Sequence, residues 1–237
     1  VHVPDGFLDA PTSIATGAVA ATAVAVSLRR ARHELDDKTA PLTGLVAAFV
    51  FAVQMLNFPV GAGTSGHLLG GALAAILVGP WTAILCMTVV LLVQGLFFAD
   101  GGVTALGTNI TLMGVVTVVV GWALFRLTLR FLPRRPASAA PAAFVAALVS
   151  VPVAALCFVG LYAVGGTADI SIKAVFAAMV GWHVLIGLGE AAITALTVGS
   201  VIAVRPDLVH GARPLLAARE LTVREPRPLV TKGDRSE

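Results

Sequence analysis

Apolar residues fall in seven long runs, at 12–29, 40–58, 67–79, 81–98, 106–132, 140–165 and 173–203, separated by short polar or glycine-rich breaks. A helix needs about 20 apolar residues to cross the hydrocarbon core of a bilayer. The pattern therefore predicts an all-α membrane protein with seven transmembrane helices. The third run is short: it would rise only about 20 Å, and Gly79-Pro80 ends it abruptly. The expected result is a helix whose outer end stops below the headgroups, with His67 at that end. Irregular backbone at such depth needs protein or a wet cavity around it. The fifth run follows Asp100-Gly101-Gly102, a glycine-rich stretch expected to dip into the protein. Residues 1–203 form the expected transmembrane domain. Residues 204–237, with Pro206, Pro214, Pro226 and Pro228, read as a polar cytoplasmic tail that is largely disordered near its end.

Composition agrees with the pattern. The 237 residues are 57% hydrophobic and 12% charged, where soluble domains carry about 25% charged residues. Mean hydropathy is +0.92. The net charge of +3 predicts no nucleic-acid partner, because the cations follow membrane topology. Fifteen of the sixteen Lys and Arg residues fall at the ends of the first, fifth and seventh runs or in the segments that follow them, and Lys173 alone lies opposite. The positive-inside rule places those three segments in the cytoplasm, giving an N-out, C-in topology. Cys86 and Cys157 sit in apolar runs without zinc-type spacing, so neither a disulfide nor a zinc site is expected. Acidic rather than basic residues precede the first run, so no cleavable leader is expected and the N-terminus is read as retained.

The topology brings two histidines to the outer face: His2, in Val1-His2-Val3-Pro4-Asp5-Gly6, and His67, in Gly61-Ala62-Gly63-Thr64-Ser65-Gly66-His67. A histidine at position two can chelate through the amine of Val1, its own backbone amide and its own ring. A five-membered and a six-membered chelate ring then hold three nitrogens in one plane. With His67 as fourth donor the set suits Ni(II) or Cu(II), and low-spin Co(II) tolerates it. Amine and imidazole must be unprotonated to bind, so affinity is expected to drop below about pH 6. Alone, each histidine reads as a solvated or helix-end residue; together on one face they point to a metal. Asn57 and Asn109, with Thr64 and Ser65 beside His67, are candidates to hydrogen-bond and orient the ligand histidines. Helix capping is the plainer role for the asparagines. Asp5, Asp9 and Asp100 add outer negative charge that attracts cations.

His183 and Glu190 lie seven apart in the last run, on one helix face. They read first as a satisfied interhelical hydrogen-bond pair and second as a functional intramembrane pair. Gly44, Ala48 and Ala52 make a small-residue ridge in the second run, suited to close helix approach, with internal packing the plainer reading. His33 and His210 read as solvated. No nucleotide-phosphate loop is present, so ATP would be hydrolysed by partners.

Four separated motifs resemble the CbiM/NikM family, the substrate-binding S components of energy-coupling-factor (ECF) importers for cobalt and nickel. They are His2-Val3-Pro4-Asp5-Gly6-Phe7-Leu8, Gly61–His67, Gly95-Leu96-Phe97-Phe98-Ala99-Asp100-Gly101-Gly102-Val103-Thr104-Ala105-Leu106-Gly107-Thr108-Asn109, and Gly181-Trp182-His183-Val184-Leu185-Ile186-Gly187-Leu188-Gly189-Glu190-Ala191. The resemblance implies an S-component fold with an extra N-terminal helix in a bacterial or archaeal cell membrane. It implies ion binding by the amine of Val1, the amide and ring of His2 and the ring of His67, with the ion as cargo and no resident cofactor. It implies work with a transmembrane T component, cytoplasmic ATPases and, in many members, a small accessory membrane subunit. Gly44, Ala48 and Ala52 would dock the T component. Val1 departs from the family's initiator methionine, though its amine would serve equally.

Two rival classes have distinct signatures. Ser65 with His183 could form the dyad of a rhomboid-like intramembrane serine protease, but that family's Trp-Arg loop motif is missing, Trp81 being followed by Thr82. A purely structural or channel subunit would show no saturable ion binding.

Overall fold

The computed structural model describes residues 2–35, 39–61 and 64–220, with only the backbone of Phe58, Val60, Gly61, Thr64, Ser65 and residues 217–220. Helix α1 (Ala10–Arg30) and α2 (Thr39–Gln54) are followed by a hairpin of β1 (Phe58–Gly61) and β2 (Thr64–Gly66). Then come α3 (Gly71–Val78), α4 (Pro80–Phe97), α5 (Leu106–Asn109), α6 (Thr117–Phe131), α7 (Ala139–Gly165), α8 (Ile172–Val204) and a short α9 (Arg213–Glu220). A π-helical stretch, Ile110–Val116, joins α5 to α6 in one continuous rod.

Among the described residues five helices are long and apolar enough to cross a membrane: Ala10–His33, Pro80–Phe97, Leu106–Phe131, Pro136–Gly165 and Ile172–Val204. Two of the seven expected spans fall short of that length among the described residues: α2 has 16 residues and α3 has eight. All eight residues of α3 are buried. It is a plug enclosed by the other helices, and it rises about 12 Å. The break that follows it is built by Gly79 at φ 95 and Pro80 at the first turn of α4. Glu34, arriving from the end of α1, accepts from the free N–H groups of Trp81 (3.2 Å) and Thr82 (2.7 Å). A carboxylate at a helix N-terminus satisfies orphan donors and meets the positive end of the dipole.

The core is close-packed around small residues. A Cβ on Gly121 would lie 2.7 Å from the Cβ of Ala72, and one on Gly187 would lie 3.0 Å from the Leu148 carbonyl. These contacts let α3 approach α6 and α8 approach α7 at backbone distance. Residues 206–216, expected within a polar tail, instead fold back: Val209, Ala212 and Leu215 are buried. His210, expected to be solvated, lies 5.6 Å from the Trp122 ring. Burial, with the charges of Arg213 and Arg126, pushes it down to about 4. Arg224, Arg227, Lys232 and Arg235, and Lys38, lie outside the described residues.

Candidate functional site

The site is built around residues 2–9, an extended segment locked into the protein before α1 begins. Val3 is fully buried. Its N–H donates to Asn109 Oδ1 (2.7 Å), and its carbonyl accepts from Asn109 Nδ2 (3.2 Å) and from the Gly102 N–H (2.8 Å). Asp5 Oδ1 accepts from the N–H (2.7 Å) and hydroxyl (2.5 Å) of Thr104. Phe7 packs against Phe158 and Tyr162, with ring centroids 5.7 and 5.2 Å away. Burying a side chain of this size stabilises by about 1.5–3 kcal/mol. The Asp9 N–H donates to Gly165 O (2.7 Å), and its carboxylate accepts from Thr12 N (2.9 Å) to cap α1. This anchoring fixes His2, which is 3% exposed.

His67 reaches the same place from the turn between β2 and α3. Its ring centroid is 4.5 Å from that of His2, the planes tilted by 34°. His67 Nδ1 lies 2.8 Å from Leu68 O. That partner assigns the proton to Nδ1 and leaves the lone pair on Nε2, which is buried and has no hydrogen-bond partner. A second-ring-nitrogen bond of this kind fixes the orientation of an imidazole for ligation. The turn itself is pinned from two helices. Glu190 of α8 accepts from Leu69 N (2.6 Å) and Gly70 N (2.9 Å), and Gln54 Nε2 of α2 donates to Leu69 O (2.6 Å).

Asp100 completes the cluster. Its Oδ1 is 3.0 Å from His2 Nδ1, and its Oδ2 accepts from Asn57 Nδ2 (3.1 Å). Ala99 (φ 52) and Gly101 (φ 89) turn the chain sharply on either side of it. Burial lowers the His2 pKa below 6.5, with the Asp100 contact opposing. Burial alone would raise the Asp100 carboxyl, but the His2 ring and the Asn57 amide outweigh it and hold it below its ordinary value. Gln94, fully buried, also faces the His2 ring.

Several expectations change. Asn109 bonds the backbone of Val3 and Asn57 bonds Asp100, so neither bonds a histidine ring directly. His183 and Glu190 do not pair with each other. His183 Nδ1 lies 2.6 Å from Met179 O, while Glu190 caps α3. Gly44, Ala48 and Ala52 are exposed on α2 rather than packed internally, and a Cβ on Gly44 would meet nothing within 4 Å. Val1 lies outside the described residues, as do the side chains of Thr64 and Ser65. Asp100 was read only as diffuse outer charge, and Gln54 and Gln94 were not singled out. A glutamine inside an apolar run is the signal that would have found the last two. Among the described residues no three His, Cys, Asp or Glu side chains gather as a metal cage.

The family described as "CbiM: Cobalt uptake substrate-specific transmembrane region" matches residues 2–208. The chain belongs to the CbiM family. Within it, the cobalt transport protein CbiM of Sorangium cellulosum is 34% identical, with 88% of this chain and 94% of that one covered. The fused nickel transport protein NikMN of Rhodobacter capsulatus is 42% identical over 55% of this chain and 38% of its own length. A crystal structure of a truncated transition metal transporter superposes with a TM-score of 0.75 at 29% identity, covering 86% of this chain and 99% of that one. This CbiM-family chain is therefore a membrane-embedded metal-transport component rather than an enzyme. The protease reading gains nothing: His183 is engaged with Met179, and these relatives are transport proteins.

Proposed function

We propose that the protein captures Co(II) or Ni(II) at the extracytoplasmic face and delivers the ion for ATP-driven import by an ECF-type transporter. The donors are the amine of Val1, the amide and ring of His2 and Nε2 of His67. The observation that carries this is the meeting of two buried imidazoles, 4.5 Å between centroids, with His67 Nε2 and both ring nitrogens of His2 buried without a hydrogen-bond partner. The ion is cargo, and no resident cofactor is needed. Both metals suit an all-nitrogen donor set. The charge distribution supports N-out, C-in placement in a bacterial or archaeal cell membrane. The exposed ridge of Gly44, Ala48 and Ala52 supports docking of a T component on α2. Cytoplasmic ATPases and, as a further subunit, a small accessory membrane protein complete the complex.

Titration calorimetry of the detergent-purified protein with Ni(II) and Co(II) tests the reading. His2→Ala and His67→Ala should each abolish high-affinity binding while leaving the protein folded. A residue inserted between positions 1 and 2 should be as damaging, because it breaks the chelate although both histidines remain. Normal binding by the insertion variant would refute the terminal-amine chelate. Absence of saturable binding by the parent protein would refute capture altogether.

A further inference from the structure

The geometry points to Asp100 as the counter-charge of the loaded site, a residue that neutralises the bound ion without ligating it. The inference rests on the four-nitrogen reading above. A divalent ion bound through the His2 amide displaces the amide proton to solvent. The donor set then carries one negative charge, and the complex keeps one net positive charge. That charge sits between side chains only 3% and 1% exposed, where an uncompensated ion is strongly disfavoured.

Among the described residues Asp100 is the carboxylate in contact with either histidine. Two other outer carboxylates are committed, Asp5 to Thr104 and Asp9 to the cap of α1, and Asp169 lies between α7 and α8 without a contact to either histidine ring. Glu190 is committed to the turn at Leu69 and Gly70. Asp100 is held for the task. Asn57 fixes one oxygen, its own N–H donates to Gln94 O (3.1 Å), and left-handed residues flank it. Its Oδ1 lies 3.0 Å from His2 Nδ1, close enough to offset a positive charge on the chelate.

The test measures Ni(II) affinity by calorimetry and the ligand-field absorption of the Ni(II) complex on the same samples. Asp100→Asn should weaken binding by about 10- to 100-fold, the range typical of partners that act through a ligand, and leave the absorption band unmoved. The exchange Asn57→Asp with Asp100→Asn keeps one carboxylate and one amide at the same two positions and should recover most of the loss. Unchanged affinity in Asp100→Asn overturns the proposal. A shifted band overturns it too, because Asp100 would then be a ligand. So does failure of the exchange to recover affinity in a protein with the parent melting temperature, since shape rather than charge would be at work. His67→Ala separates the two layers. If it binds like the parent, the four-nitrogen site itself fails. If it is dead while Asp100→Asn binds like the parent, only the counter-charge role fails.

Discussion

Glu190 is the residue whose loss should reach furthest from where it sits. It lies 19 residues into α8, 2% exposed, and it holds the N–H groups of Leu69 and Gly70 at 2.6 and 2.9 Å. Glu190→Ala leaves both donors buried without an acceptor. Charge-assisted bonds of this kind contribute about 1.5–3 kcal/mol each. Inside membranes, where the unfolded state also finds partners, the average falls to about 0.6 kcal/mol. Removing the carboxylate also relieves its own desolvation cost, so a net loss of about 2–3 kcal/mol is expected. Glu190→Gln is the sharper probe: its amide oxygen can keep one N–H, but its NH₂ then faces the other. About half the loss should remain. The turn carries His67, so the variant should also populate turns in which Nε2 points away. If those states gain about 1.4 kcal/mol relative to the native turn, apparent ion affinity can fall by up to about tenfold. Thermal unfolding in detergent and calorimetric titration with Ni(II) read the two effects. Gln54→Leu, which removes the 2.6 Å bond to Leu69 O, should act on the same turn, so the double variant should be less than additive. If Glu190→Gln keeps the parent's melting temperature and affinity, the turn is held by something else and the reasoning is wrong.

Two further outcomes follow from the same geometry. A Cβ on Gly102 would lie 2.3 Å from Asp5 N and 2.7 Å from the Pro4 carbonyl carbon. Gly102→Ala must therefore displace the segment bearing His2, at about 1–3 kcal/mol of stability and with weaker ion binding. Gly160→Ala, in open space, is the control, and equal behaviour of the two in melting and titration would refute the wedge. The pH dependence is revised from the onset near pH 6 read from the sequence. Burial holds the His2 ring below 6.5, so it stays neutral in the folded protein at pH values where the unfolded ring is already protonated. Stability is full above about 6.5 and declines as pH falls toward the depressed folded value. Affinity between about pH 8 and 6.5 should instead fall with protonation of the terminal amine, whose ordinary pKa is about 7.7–8.0, on top of the one proton that the His2 amide gives up on binding at any pH. Proton release on binding, measured by calorimetry in buffers of different ionisation enthalpy, should show no added release centred at pH 6.5.

What the sequence made legible was periodic or positional. Apolar runs are local, so the long helices, the break at Gly79-Pro80 and the family motifs could be read directly. Charge bias put His2 and His67 on one face, and the structure brings their rings together. The contacts that build the site are pairings across the chain, of Glu190 with Leu69 over 121 residues and of Asn109 with Val3 over 106. No local pattern encodes such a pairing. A buried carboxylate announces only that it needs a partner, and here the partner is a pair of backbone N–H groups rather than the histidine on its own helix face. The same limit explains α3. Its apolar run of 67–79 matched a span, but its first four residues, His67 to Gly70, do not continue the helix; Leu69 and Gly70 bond instead to side chains of α2 and α8. That irregular turn is tolerated because its polar groups are satisfied by protein. It also ends in Gly70 at φ 79, where a Cβ would press on Val50 at 2.8 Å. The shortened helix and the placement of His67 are thus one structural fact. Lengthening α3 by a turn would bury the imidazole in a helix face and take Nε2 away from His2.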